Sequence, residues 1–122
     1  MRALRFHGAG QLRLERVPEP DANDDVVVIA VTACGVCGSD LHFLDGTATT
    51  ARVPIILGHE VAGTIQSPGN SGLESGMPIV ATVGDWCGSC RRCSEGRPNL
   101  CERVAVLGIH VDGGLADAVA VR

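Results

Sequence analysis

Residues 87–101 read Cys87-Gly88-Ser89-Cys90-Arg91-Arg92-Cys93-Ser94-Glu95-Gly96-Arg97-Pro98-Asn99-Leu100-Cys101, a C-x2-C-x2-C-x7-C spacing. One short loop carrying four thiols at these intervals can wrap them tetrahedrally around a single zinc ion. From Gly84 to Arg103 the chain is polar and glycine-punctuated, with too little apolar content to be ordered by burial. Metal binding then supplies the folding free energy of this lobe. Four sulfur ligands leave no open coordination position, so the predicted role of Cys87, Cys90, Cys93 and Cys101 is structural. The competing readings are free core cysteines, which suit an apolar segment, and a redox C-x2-C, which needs only two cysteines beside a βαβ unit.

The rest of the composition sets bounds. A chain of 122 residues with 45% hydrophobic content supports one domain around one modest core. Only Phe6, Phe43 and Trp86 are aromatic, so that core rests on aliphatic side chains. The net charge is −4, and all ten basic residues are arginines, scattered except for Arg91-Arg92. That pattern offers no phosphate-tracking patch and predicts no nucleic-acid partner. Apolar runs such as Val26–Val31 are far too short for a bilayer, and Met1–Leu4 opens no secretory segment, so a cytoplasmic location and no membrane partner are expected. Six cysteines without an export signal read as metal ligands or reduced thiols.

Along the chain, Ala3–Phe6 and Gln11–Val17 flank Gly8-Ala9-Gly10 as an opening hairpin. Arg13 stands where a dinucleotide fingerprint needs its third glycine, so that turn is no cofactor loop. The β-branched run Val26–Thr32 predicts a central strand, followed by a glycine-broken turn over Cys34–Gly38. Ser39 reads as the N-cap of a short helix ending near Gly46. Further strands are expected over Val61–Ile65, from Pro78 to near Val83, and over Leu115–Val121. On residues alone, Ser39 is a helix cap, His42 an exposed helix residue, and Asp40 and Glu60 solvated charges. Cys34 reads as a small buried thiol, and His7 and His110 as ordinary residues.

Taken in order, Cys34-Gly35-Val36-Cys37-Gly38-Ser39-Asp40-Leu41-His42, then Gly58-His59-Glu60-Val61-Ala62-Gly63, then the four-cysteine lobe, the chain resembles the zinc-dependent medium-chain alcohol dehydrogenases over nearly its whole length. The resemblance implies a mainly β fold: a GroES-like irregular β-barrel with a short helix and a four-cysteine zinc lobe at about residues 84–103. It implies that Cys37 and His59 bind a catalytic zinc, with Glu60 beside the metal and able to bind it. Asp40 would accept the other ring N–H of His59 and fix its tautomer. Ser39 would contact the substrate oxygen, and His42 would carry the proton onward through the cofactor ribose. The family's substrates are small alcohols or carbonyls, its cofactor NAD or NADP, and its relatives are usually dimers or tetramers, so a homo-oligomer is compatible.

Relatives commonly carry Gly-Asp-Arg-Val before the lobe, where this chain has Gly76-Met77-Pro78-Ile79-Val80; the apolar strand positions survive. No nucleotide-binding βαβ segment is found in residues 1–122, which read as the GroES-like catalytic domain alone. The nucleotide-binding Rossmann domain would be the partner that supplies the cofactor and sets NAD against NADP, and without it the chain is expected to be inactive. A different class of function is a non-enzymatic zinc-stabilised β-barrel that binds a partner; a third is a thiol redox protein using Cys34 and Cys37 or the lobe cysteines.

Overall fold

A computed structural model describes residues 1–122. Strands β1 (Arg2–Phe6) and β2 (Leu12–Arg16) form the expected hairpin, paired from Arg2↔Arg16 to Phe6↔Leu12. Strand β3 (Val27–Gly35) leads into helix α1 (Gly38–Asp45), then the short β4 (Ile55–Ile56), which adds to the free edge of β1. Strands β5 (Glu60–Ser67) and β6 (Pro78–Val80) follow, then β7 (Gly84–Asp85), helix α2 (Arg91–Ser94), one 3-10 turn at Pro98–Leu100 and β8 (Ala105–Val106). The last strand is β9 (Ala118–Val121). Three sheets result, ordered β2-β1-β4, β6-β5-β3-β9 and β7-β8, all with antiparallel pairing. The architecture is mainly β, with short helices, as expected. No helix is long and apolar enough to cross a membrane.

β3 is central because it can be buried on both faces: Val27, Val28 and Ile29 are all in the interior. Around it, Val27, Ile29, Val61, Ile65, Leu107 and Val119 make one aliphatic cluster. A second cluster, Phe6, Phe43, Ile55 and Leu57, clamps α1 against the first sheet, with the two phenylalanine rings 6.5 Å apart. Packing Phe43 inward fixes the rotation of α1 and with it the direction of Ser39 and Asp40, one turn earlier.

Three boundaries differ from the sequence expectation. β3 does not yield to a turn at Cys34; after a bulge between Val31 and Ala33 it stays paired with β5 through Ala33↔Ala62, Cys34↔Val61 and Gly35↔Glu60. Cross-strand pairing outweighs the local turn preference of glycine. The last strand starts at Ala118, because the residues before it serve the other sheet: Leu4 N–H donates to Leu115 O at 2.8 Å, and Ala3 bridges Ala116. β6 ends at Val80, short of Val83.

The N-cap of α1 is Cys37, not Ser39, which lies inside the helix. The cause is Asp40 at the third helical position: its Oδ2 accepts the Cys37 backbone N–H at 2.9 Å, the reach-back half of a capping box. The helix closes at Gly46 in the left-handed conformation, as anticipated.

Asp117 staples the two sheets where the chain crosses between them. Its carboxylate accepts the Arg2 backbone N–H at 2.7 Å and the Arg2 guanidinium at 2.8 Å, which holds its pKa down at about 2. A depressed carboxylate stabilises the fold above its unfolded pKa and loses that contribution as pH falls towards the folded value. The thermal midpoint difference between the wild type and Asp117→Asn is therefore full at pH 5 and shrinks steadily as pH is lowered towards 2. In the core, Ile29→Ala should cost about 2–5 kcal/mol in urea unfolding. Leu14→Ala, at a residue 70% exposed, should stay within about 0.5 kcal/mol.

Candidate metal centres

The lobe hangs between β7 and β8, whose pairing Gly84↔Val106 and Asp85↔Ala105 brings its entry and exit together. Within it the four sulfurs converge, with Cys90–Cys93 3.6 Å, Cys90–Cys101 3.9 Å and Cys101–Cys87 3.5 Å apart. Zinc–sulfur bonds of about 2.3 Å in a tetrahedron place sulfurs about 3.8 Å apart, so the cage has the size of a Zn(Cys)4 site. A disulfide would need about 2.05 Å, and none is formed.

Backbone N–H groups steer the charge in this cage. Those of Ser89 and Cys90 pull the Cys87 thiol down to about 5, whereas desolvation pushes Cys93 up to about 12. Packed this closely, four thiols cannot all ionise unaided, and a divalent cation is what allows four thiolates together. The Arg103 N–H donates to Cys101 Sγ at 3.3 Å while its guanidinium donates to Ser89 Oγ at 2.8 Å, tying the lobe's last turn to its first.

The second cluster lies where β3 ends and β5 begins. Cys37, His59 and Glu60 each offer a ligand atom, and these lie within 4.8 Å of one another. Antiparallel pairing of β3 and β5 explains the meeting: Cys37 follows the last residue of β3 by two, and His59 immediately precedes β5. Ser39 Oγ is 3.5 Å from His59 Nε2, so the first turn of α1 faces the same cluster. Sulfur, imidazole and carboxylate donors suit zinc, and three protein ligands leave a position open.

One expected partnership is not formed. Asp40 Oδ1 and His59 Nδ1 are both buried without a hydrogen-bond partner, so the Asp40–His59 bond is absent. Asp40 spends its other oxygen on capping α1. The His42 side chain is 65% exposed, with Nδ1 3.1 Å from Thr47 Oγ1 and 3.7 Å from Asp45 Oδ2. Cys34 is half-buried, outside both clusters, and desolvation pushes its thiol pKa up, which makes it a poor nucleophile. His7 is paired with Glu15 at 2.8 Å, and His110 Nδ1 accepts the Val106 N–H at 3.1 Å.

One contributor was not anticipated. Residues 107–115 fold back on the segment just before His59: Gly113 N–H donates to Ile56 O, Leu115 N–H to Leu57 O and Gly114 N–H to Gly58 O, at 2.8–2.9 Å. Gly58 adopts φ +93°, and a Cβ there would come 2.7 Å from Cys34 Sγ and 3.0 Å from Leu115 N. Only glycine fits both conformation and space. Gly113-Gly114 was the available signal, but its partner lay far away in sequence.

Comparison with known proteins identifies the family. Residues 23–122 match the family described as the alcohol dehydrogenase GroES-like domain, and the chain belongs to that family. Sorbitol dehydrogenase of Bacillus subtilis (strain 168) is 39% identical over 132 residues, covering 100% of this chain and 36% of the relative. An alcohol dehydrogenase of Escherichia coli CFT073, solved in complex with NADH, is 34% identical with a TM-score of 0.89, over 99% of this chain and 36% of that one. A thermostable alcohol dehydrogenase from Pyrobaculum aerophilum, solved with cobalt and zinc bound, is 32% identical with a TM-score of 0.90, over 99% of this chain and 39% of that one. The chain spans about a third of the length of the curated relatives it matches.

Stripping the lobe metal with a chelator should disorder residues 86–104 while leaving the main sheets. Hydrogen exchange would register this as lost protection confined to the lobe and to β7-β8. Cys101→Ser should lower zinc content by about one ion per chain; unchanged zinc content would exclude the lobe as a metal site.

Proposed function

We propose that this chain is the catalytic domain of a zinc-dependent dehydrogenase that moves hydride between an alcohol or polyol and NAD or NADP. The observation that carries the reading is the convergence of Cys37, His59 and Glu60 within 4.8 Å, with the Ser39 hydroxyl beside them. A bound zinc would supply a Lewis acid that draws electron density from an alcohol oxygen and eases loss of its proton. Cys37 and His59 would hold it from two rigid strand ends, and Glu60 would offer a third donor from the start of β5. Ser39 would orient the substrate hydroxyl and take its proton while passing its own on, through the cofactor ribose, towards His42. His42, one turn along the same helix, sits at the surface where a proton can leave; Thr47 and Asp45 hold its ring.

Asp40 Oδ1 and His59 Nδ1 are each buried without a partner; a pairing of the two, which this structure does not hold, would fix the His59 tautomer and leave Nε2 free for a metal. The cofactor would be brought by a nucleotide-binding domain of the same protein, closing a water-poor cleft over the open side of the cluster. Six unpaired thiols suit a reducing compartment, in keeping with a cytoplasmic location.

The whole protein, assayed with secondary alcohols and polyols and both nicotinamide cofactors, should bind two zinc ions per chain of this sequence and transfer hydride. Cys37→Ala should lower kcat/KM by about a thousand-fold or more, since a Lewis acid is worth several kcal/mol in the transition state. His42→Ala should slow turnover by about a hundred-fold without loss of metal. Absence of turnover at full zinc loading, across that substrate range, would overturn the proposal.

A further inference from the structure

Gly35 stands directly opposite Glu60 in the β3–β5 ladder. It has no need of glycine's conformational freedom, because its φ lies outside the left-handed region. Space is the constraint. A Cβ built on Gly35 would collide with Glu60 Oε2, and would lie 3.0 Å from Glu60 Cβ and 3.2 Å from its carboxyl carbon. All three of the nearest atoms belong to Glu60, so the Glu60 side chain lies flat across the bare backbone of its cross-strand neighbour. That path ends with the carboxylate in reach of Cys37 and His59. By contrast, Gly63 in the same ladder is crowded first by Ala30 O and Ile29, which marks close packing of the sheet and not of a site residue.

We propose that Gly35 is a positioning residue for the second metal centre: by lacking a side chain it lets Glu60 fold back over β3 and stand as the third donor. Glu60 is exposed and has solvent to swing into, so any side chain at position 35 would turn the carboxylate outward and leave only Cys37 and His59. The loss would fall on the metal and not on the fold, because the displaced group is a solvent-accessible carboxylate at a strand end. This inference rests on the reading of Cys37, His59 and Glu60 as a metal centre.

Cobalt(II) is the probe, titrated into the whole protein with its lobe already filled by zinc and followed by thiolate-to-cobalt absorption. The wild type should take up one further cobalt. Gly35→Ala should bind it about ten-fold more weakly or worse with lobe zinc retained, and Glu60→Ala should show a comparable loss. The double variant Gly35→Ala/Glu60→Ala should be no weaker than Glu60→Ala alone, since both changes remove the same donor. Wild-type affinity in Gly35→Ala, or losses that multiply in the double variant, would overturn the role of Gly35. A wild type that takes up no second metal would overturn the metal-centre reading, and the role of Gly35 with it. Should Gly35→Ala lose its lobe zinc or its fold, the double variant decides: recovery on removing the Glu60 carboxylate supports the collision, and failure to recover refutes it.

Discussion

Antiparallel pairing sets the end of one strand beside the beginning of its partner, and in this protein the β3–β5 ladder turns that geometry into a site. Two ligand-bearing segments far apart in sequence, one leaving the sheet after Gly35 and one entering it at Glu60, are held face to face by the ladder. Everything around them serves to keep that junction still. The bulge between Val31 and Ala33 adjusts the register, Phe43 anchors α1, and the fold-back of residues 107–115 pins the approach to His59. A functional centre built on strand ends draws its precision from the sheet, because the ladder and the core restrain both flanks.

The parts most legible in the sequence were those governed by short-range spacing. Four cysteines within one loop can meet only around something small, and the Ser39-to-Gly46 helix announced its end through a single glycine. The grouping of Cys37 with His59 was weak as a pattern of residues and became specific only through the order of motifs along the chain. What stayed hidden was set by partners distant in sequence. The continuation of β3 through Cys34 and Gly35 depends on β5, and the late start of β9 depends on β1 drawing Leu115 and Ala116 to the other sheet. The capping of α1 by Cys37 turned on a carboxylate three residues later, a local signal outranked by the familiar preference for serine at a cap.

The two candidate metal centres divide the labour of the fold in opposite ways. At the junction of β3 and β5 the protein is already ordered, and the donors are delivered to fixed places. In the lobe the chain is held by local backbone hydrogen bonds, the Arg103–Ser89 tie and the converging sulfurs, with little apolar burial: its helix is a single turn with no buried residue. The first is a site prepared by a core; the second is a segment whose order a bound ion would reinforce.

The stem at Gly84–Asp85 and Ala105–Val106 gives that division a further meaning. Because both ends of the lobe leave from neighbouring ladder positions, the rest of the barrel is tied off from it like a purse with its string drawn. Residues 86–104 can lengthen or shorten while the path of the main chain in the larger sheets is left in place. The lobe is thus an independently variable appendage, open to drift in length and surface on a scaffold whose Cys37–His59–Glu60 junction lies outside it.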